Sequence, residues 1–453
     1  MKKSRHLSAP QAILLSFAAM IAIGTSLLAL PFASQSGQSV SLLDAFFTAT
    51  SASCVTGLVV VNTMQHWTWF GQLVIITLIQ LGGIGFITVV TGALIVFRQR
   101  IGLRQRLTIQ TMFNQSSLGG MTRLVWQVLR YTAVIEGAGA VLLTVGFLTA
   151  NRGYGFLESV WYGVFHAISA FCNAGFDLVG SNSLAEFQGH WLINFTIMVL
   201  ITLGGLGFTV LHELRHFKTK KHWRGLSIHT RLVCGTSAVL VVAGTLLFAL
   251  LEWQGALGHL ATPQKWLAAA FESVTLRTAG FATIDQSQLT PLSQLLATGF
   301  MFIGGSPAGT AGGVKTITLA LLVAAVSSGL HGHTGIVIAG RRLPLALVQK
   351  ALAVFFAMFA VVVMAVLILH FSEAGNSFAP TLMETIFEAT SATGTVGLTT
   401  GLTPYLSPIG KVTIALCMFI GRLSPLTLVV ALSLRQNADS HVIDYPAANV
   451  IIG

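Results

Sequence analysis

Ala45-Phe46-Phe47-Thr48-Ala49-Thr50-Ser51-Ala52-Ser53-Cys54-Val55-Thr56-Gly57-Leu58 lies between two apolar segments long enough to cross a bilayer, yet is itself too polar and too short to do so. The run recurs three times. Val164-Phe165-His166-Ala167-Ile168-Ser169-Ala170 leads to Cys172-Asn173-Ala174-Gly175-Phe176, and Ala270-Phe271-Glu272-Ser273-Val274-Thr275 leads to Arg277-Thr278-Ala279-Gly280-Phe281. Ile386-Phe387-Glu388-Ala389-Thr390-Ser391-Ala392-Thr393 leads to Thr395-Val396-Gly397-Leu398. Each copy is a phenylalanine, a short helix of small and hydroxyl residues, then one glycine followed by Leu or Phe. The pattern predicts a half-membrane pore helix and a filter strand, present four times.

Composition fixes the surroundings of these runs. The 453 residues are 54% hydrophobic and 9% charged, against about 25% charged in a soluble domain. Most of the chain is therefore expected in lipid. The +11 net charge is concentrated in residues 2–5, 98–106, 218–231 and 341–350. The positive-inside rule makes these segments cytoplasmic, and as short loops between spans they exclude a nucleic-acid reading. Carboxylates such as Asp44, Asp177, Glu252, Asp285 and Glu373 fall on the other side, where they raise the local cation concentration. Cys54, Cys172, Cys234 and Cys417 lack metal-type spacing and read as small core residues. The run 11–30 is long for a signal core and reads as the first spanning helix.

The predicted fold is an all-α membrane protein of four pseudo-symmetric helix–pore-loop–helix repeats around one central pore. Residues 1–10 form a cytoplasmic N-terminus; the repeats occupy 11–106, 121–224, 229–335 and 345–435; a tail follows at 436–453. First helices are expected near 11–31, 124–149, 230–251 and 345–370, and return helices near 67–97, 191–214, 291–330 and 407–434. Repeats of one orientation suit an axis along the membrane normal, not an inverted pair. The filter glycines are separated by 118, 105 and 117 residues, too long for a solenoid. A second landmark recurs 25, 29, 24 and 24 residues after them, beginning at Gly82, Gly204, Gly304 and Gly421.

A cation crossing lipid must exchange its water shell for other oxygens. The residues before the glycines (Val55-Thr56, Asn173-Ala174, Thr278-Ala279 and Thr395-Val396) differ in their side chains, which points to backbone carbonyls as the shared ligands. Turning those carbonyls inward needs unusual backbone angles, which Gly57, Gly175, Gly280 and Gly397 reach at little cost. Four helix C-termini aimed at the axis favour a cation. Arg277, at the filter, is expected to point behind it and pair with a carboxylate such as Glu272 or Glu388. Those two glutamates are expected to hydrogen-bond a neighbouring filter strand.

The third return segment, 291–330, would be about 60 Å long as one helix, twice the hydrocarbon thickness of about 30 Å. Its middle, residues 304–316, contains Gly304, Gly305, Ser306, Pro307, Gly309, Thr310, Gly312, Gly313 and Lys315. Such a run does not hold a helix and is tolerable at this depth only if buried or lining a cavity. It is expected to cross the pore below the filter as a gate. Arg422, on the fourth return helix, replaces the second glycine of the landmark and reads as a positive barrier beside that loop. Lys315 either adds to the barrier or extends to the cytoplasm. Glu136 reads as a helix–helix hydrogen-bonding group, with proton coupling as the alternative.

The four filters in register, the single glycine in each and the interrupted third return helix together resemble the Trk/Ktr/HKT superfamily of potassium transporters, most nearly its KtrB type. The resemblance covers nearly the whole chain. Trk-type members usually carry two further N-terminal spans, from which this chain departs. The resemblance implies K⁺ uptake with Na⁺ as coupling or activating ion, a gating role for the loop, a homodimer in the plasma membrane lipid, and a cytosolic nucleotide-binding ring of KtrA type. No nucleotide motif lies in this chain. The runner-up is a secondary transporter of an organic solute with broken helices. An intramembrane enzyme would need a catalytic pair, and no nucleophile–base pair stands out.

Overall fold

The structure, a computed structural model, describes residues 8–96, 102, 107–108, 110, 121–150, 152–180, 182–215, 223–332, 335–338, 340–425 and 427–428. Four helix–half-helix–helix units follow one another. Unit 1 holds α1 (Ala9–Leu28), α2 (Leu42–Cys54), α3 (Trp69–Ile84) and α4 (Phe86–Val96). Unit 2 holds α5 (Met121–Thr149), α6 (Phe156–Phe171), α7 (Trp191–Leu206) and α8 (Phe208–Arg215). Unit 3 holds α9 (Ile228–Glu252), α10 (Thr262–Thr275), α11 (Pro291–Phe302) and α12 (Thr316–Leu330). Unit 4 holds α13 (Leu345–Ser372), α14 (Leu382–Gly394) and α15 (Pro408–Leu423). The basic segment 218–222, most of 98–106 and the tail 436–453 lie outside the described residues.

The first helix of every unit is long and apolar enough to cross a bilayer. The half-helices α2, α6, α10 and α14 are not: at 13 to 16 residues they reach about 20–24 Å, and their buried faces carry Thr, Ser and Ala. Polar residues survive there because protein, not lipid, surrounds them. The far ends of two first helices are tied by carboxylates. Glu252 Oε1 accepts from the Thr290 amide at 2.9 Å and its hydroxyl at 2.7 Å, capping α11. Glu373 accepts from the Ser407 amide at 3.0 Å and hydroxyl at 2.6 Å, capping α15. Burial acts to raise the Glu373 carboxyl, but hydrogen bonds from Ser407, Asn376 and Ser372 outweigh it and hold the group below the usual glutamate range. These two carboxylates therefore serve as helix caps. An ion pair of Lys411 Nζ with Asp44 at 2.6 Å joins unit 4 back to unit 1.

The return helices depart from expectation. Only the third was expected to break, yet all four are interrupted: the first, second and fourth three residues after the landmark glycine, and the third just before it. α3 and the following helix bend by 91° across Gly85, and α7 and α8 by 102° across Gly207. Gly85 and Gly207 have φ of 91° and 89°, and Ser424, which ends α15, has φ of 68°. A positive φ cannot continue a right-handed helix. The remainder of the fourth return segment lies mostly outside the described residues. The landmark glycine three residues earlier explains why the helix must come so close. A Cβ added at Gly82, Gly204 or Gly421 would lie 2.0, 1.9 or 2.0 Å from the carbonyl oxygens of Ser53, Phe171 and Thr393. Each of these three landmarks thus seats a return helix directly on the end of its own half-helix, before the chain turns away.

Candidate functional site: a ring of four glycines

Each half-helix runs into a strand with the same backbone signature. The residue two before each glycine is left-handed, with φ of 58° at Val55, 59° at Asn173, 64° at Thr278 and 52° at Thr395. The glycines follow at 94°, 70°, 79° and 98°. Left-handed β-branched residues are genuine outliers, and such outliers gather at functional sites. The sequence reading assigned unusual angles to the glycines alone and missed this first kink. Asn173 alone is of a type that favours this region; Val55, Thr278 and Thr395 give no hint of it.

The four strands close on one another. A Cβ on Gly57 would lie 2.3 Å from the Ala174 carbonyl oxygen, and one on Gly175 2.7 Å from that of Ala279. One on Gly280 would lie 2.5 Å from the Val396 oxygen, and one on Gly397 2.1 Å from the Thr56 oxygen. The order of contacts is unit 1 to 2, 2 to 3, 3 to 4 and 4 to 1. Glycine is required here twice over: for its angle, and because each Cα faces a carbonyl of the next unit. The sequence-selected residues Val55, Thr56, Asn173, Ala174, Thr278, Ala279, Thr395 and Val396 and the four glycines are all brought together in this ring.

The strand amides are held from behind. The amides of Thr56, Ala174, Ala279 and Val396 donate to carbonyls of Ser51, Ser169, Thr275 and Ser391 at 2.8, 2.7, 2.9 and 2.8 Å. The Gly57 and Gly397 amides donate to the Ser51 and Ser391 hydroxyls, each at 3.1 Å. Ser169 and Thr275 instead donate to the carbonyls of Phe176 and Phe281 at 2.7 and 2.6 Å. The sequence reading missed these hydroxyls as braces, although a hydroxyl stands six residues before the glycine in three units and five in unit 3. One turn earlier, His166 Nε2 receives the Leu178 amide at 3.3 Å. Glu272 receives Gln286 Nε2 at 3.2 Å, and Glu388 receives Thr399 Oγ1 at 2.7 Å. Both glutamates therefore brace their own strand, not a neighbour's.

Arg277 is a correction. It lies behind the strand, 7% exposed, but donates to Ser237 Oγ on α9 at 3.0 Å rather than to Glu272 or Glu388. Five helical residues put Glu272 and Arg277 about 140° apart, so the pair faces different neighbours. Glu136 meets the helix–helix expectation: Gln80 Nε2 donates to its Oε2 at 2.9 Å.

The segment between α11 and α12 packs against the half-helix side of the ring. Its ends are joined by Gly304 N to Val314 O at 2.8 Å, Val314 N to Phe302 O at 3.3 Å and Thr316 N to Gly305 O at 3.0 Å. The Ser306 and Thr316 hydroxyls lie 3.1 Å apart. Its middle holds unit 2: Ser306 N and Thr310 N donate to the Gly205 and Gly204 carbonyls at 2.9 and 3.2 Å, Gly309 packs on Gly204, and the Thr310 hydroxyl lies 3.0 Å from Asn173 Oδ1. Gly312 abuts unit 4, where an added Cβ would meet Thr395 Oγ1 at 2.1 Å, and Gly313 turns with φ of 65°. The segment, itself part of unit 3, thus touches both units that flank it in the ring. Lys315 Nζ folds back on the Ala311 carbonyl at 2.7 Å. Arg422 donates to the Thr310 carbonyl and to those of Gly82 and Gly83, the last at 3.1 Å. One guanidinium thus links units 4, 3 and 1.

The family profile described as TrkH, cation transport protein, matches residues 6–442. The chain belongs to that family. It is 37% identical to the potassium/sodium uptake protein NtpJ of Enterococcus hirae, over 99% of this chain and 98% of that one. It is 37% identical to the Ktr system potassium uptake protein B of Bacillus subtilis, over 98% and 96% of the two chains. The crystal structure of the potassium transporter TrkH from Vibrio parahaemolyticus superposes with a TM-score of 0.72 at 20% identity, over 96% of this chain and 87% of the other, which shows the shared fold. A TrkH-family chain is a multi-pass membrane cation transporter, not an enzyme. Between the two transport classes the sequence left open, membership decides for cations.

Proposed function

We propose that the chain takes K⁺ into the cell through the ring of Gly57, Gly175, Gly280 and Gly397. The cyclic contact of each glycine with the next unit's carbonyl carries this reading. With the strand amides engaged behind, the carbonyls are left to replace the water of a cation, whose bare burial is prohibitive. Four half-helix C-termini add negative potential at the ring. A single glycine per strand fixes fewer carbonyl rings than a longer filter, so some Na⁺ passes as well; one relative is named for potassium and sodium uptake and another for potassium uptake in a Ktr system. The segment 304–316 with Arg422 is the gate. The chain sits in the plasma membrane with both termini cytoplasmic and works as a homodimer. Na⁺ is the activating or coupling ion, and a cytosolic nucleotide-binding subunit of KtrA type regulates flow. The repeats at 11–106, 121–224, 229–335 and 345–435 are the four quarters of the pore.

Expression in cells lacking K⁺ uptake tests this: growth at low K⁺ is expected. Purified protein in liposomes is expected to pass Rb⁺ faster with Na⁺ present. Failure of both in well-folded protein overturns the reading.

Two substitutions probe its parts. Removing both brace hydroxyls, Ser51→Ala with Ser391→Ala, costs about 1–3 kcal/mol for each amide left unsatisfied. The expected result is uptake that persists while discrimination of K⁺ over Na⁺ falls several-fold, read by competition of Na⁺ with Rb⁺. Arg422→Ala removes charge-assisted bonds of about 1.5–3 kcal/mol each between the loop and units 1 and 4. Rb⁺ flux is expected to rise about threefold to tenfold, with ion competition little altered. A change in competition without a change in flux counts against the gate.

A further inference from the structure

On the face of the glycine ring away from the loop lies a cavity of about 130 Å³ lined by all four glycines and the residues that follow them. That is room for a cation with several waters. The residues two beyond each glycine are Val59, Asp177, Ala282 and Thr399, and each lines this cavity. Only one is a carboxylate. The position has no fourfold counterpart, so ring symmetry does not explain it. Asp177 is half-buried, set beside the Ser183 hydroxyl and the Val179 amide.

A second group points the same way. Gln286 also lines the cavity and is 2% exposed. Its Nε2 donates to Glu272 Oε2 at 3.2 Å and to the Ile284 carbonyl at 3.1 Å. Both neighbours are acceptors, so the amide orientation is fixed, and Gln286 Oε1 is left buried with no hydrogen-bond partner. A buried acceptor without a donor is costly. Donors that could have met it are turned elsewhere: Asn62 Nδ2 donates to the Gly180 carbonyl at 2.8 Å, and the Thr399 hydroxyl to Glu388. The cavity floor is the glycine ring, and its walls include the Asp177 carboxylate and Gln286, whose Oε1 lies buried without a donor. These are oxygen ligands for a hard cation.

We propose that this cavity is an outer binding site for a partly hydrated alkali cation, held by Asp177 and Gln286 Oε1 before it sheds its remaining water at the ring. The proposal rests on the uptake reading above. Asp177 sets how readily external cations are captured, and the ring sets which of them pass. A charge at a narrow mouth raises local counter-ion concentration about tenfold or more.

The test is Rb⁺ influx against external Rb⁺ concentration, in cells lacking K⁺ uptake and expressing the full chain. Asp177→Asn is expected to raise KM about tenfold, with the effect on KM exceeding that on maximal rate. Asp177→Glu is expected to recover most of the lost affinity. Asp177→Cys separates charge from folding, because one protein is read before and after modification. A sulfonate-bearing methanethiosulfonate reagent is expected to lower its KM and a trimethylammonium-bearing one to raise it, with the parent chain unaffected by either. An unchanged KM in Asp177→Asn, or equal responses to the two reagents, overturns the outer site. Absence of Rb⁺ influx in the parent overturns the uptake reading instead.

Discussion

Gly397→Ala is expected to abolish uptake while leaving the protein folded in the membrane. Gly397 has φ of 98°, and a Cβ there would lie 2.1 Å from the Thr56 oxygen, 3.0 Å from the Thr56 carbonyl carbon and 3.1 Å from the Gly57 Cα. Every one of these atoms is backbone, so no side chain can swing aside. The Thr56 peptide can move only by breaking bonds, because the Gly57 amide is held by Ser51 Oγ at 3.1 Å and the Thr56 amide by the Ser51 carbonyl at 2.8 Å. The angle alone costs about 1–3 kcal/mol. Relief of the clash requires the Thr56 carbonyl to rotate out of the ring, which removes a ligand from the ion's path. About 3 kcal/mol on the barrier corresponds to about a hundredfold in rate. The close approaches at the other glycines are 2.3 Å for Gly57, 2.5 Å for Gly280 and 2.7 Å for Gly175. Residual Rb⁺ uptake should therefore rise from Gly397→Ala through Gly57→Ala and Gly280→Ala to Gly175→Ala, each normalised to folded protein in the membrane. Uptake by Gly397→Ala close to the parent's would remove the ring from the transport path.

The register of the ring was legible because it depends on one residue type that nothing else replaces. The four glycines at near-equal spacing imply four equivalent strands, and the fold follows. The long apolar first helices were legible for the same reason: hydropathy and length determine them. The breaks in the return helices were not. Leu81-Gly82-Gly83-Ile84-Gly85-Phe86 reads as small-residue packing, and only the close approach of Gly82 to Ser53 together with the positive φ of Gly85 distinguishes a seat and a turn from a continuous helix. Val55 and Thr395 in the left-handed region run against their own preference, so local propensity points the wrong way there. The Arg277 partner was hidden for a different reason. Ser237 is 40 residues away on a helix whose rotation the sequence does not fix, while the nearer carboxylates were plausible by charge alone.

Deletion of residues 304–313 is expected to raise Rb⁺ flux at least tenfold in protein that still folds. The segment lies against the ring, touching Asn173 of unit 2 and Thr395 of unit 4, so on the gate reading its removal opens the path on that side. The cut is feasible because the ends to be joined already lie together: Ile303 and Val314 form an isolated bridge. The ring itself is held by Ser51, Ser169, Thr275 and Ser391, none of which belongs to the loop. Competition by Na⁺ should thus change less than flux. Arg422 offers the control. On the gate reading it acts through the Thr310 carbonyl, which the deletion removes, so two changes in one network should not add. Arg422→Ala alone should speed Rb⁺ flux; in the deleted chain it should add little. A full further increase would mean that Arg422 obstructs ions directly, as a charge in the pore, and not by holding the loop. Unchanged or lost flux in well-folded deleted protein would instead make the segment a structural support of the ring.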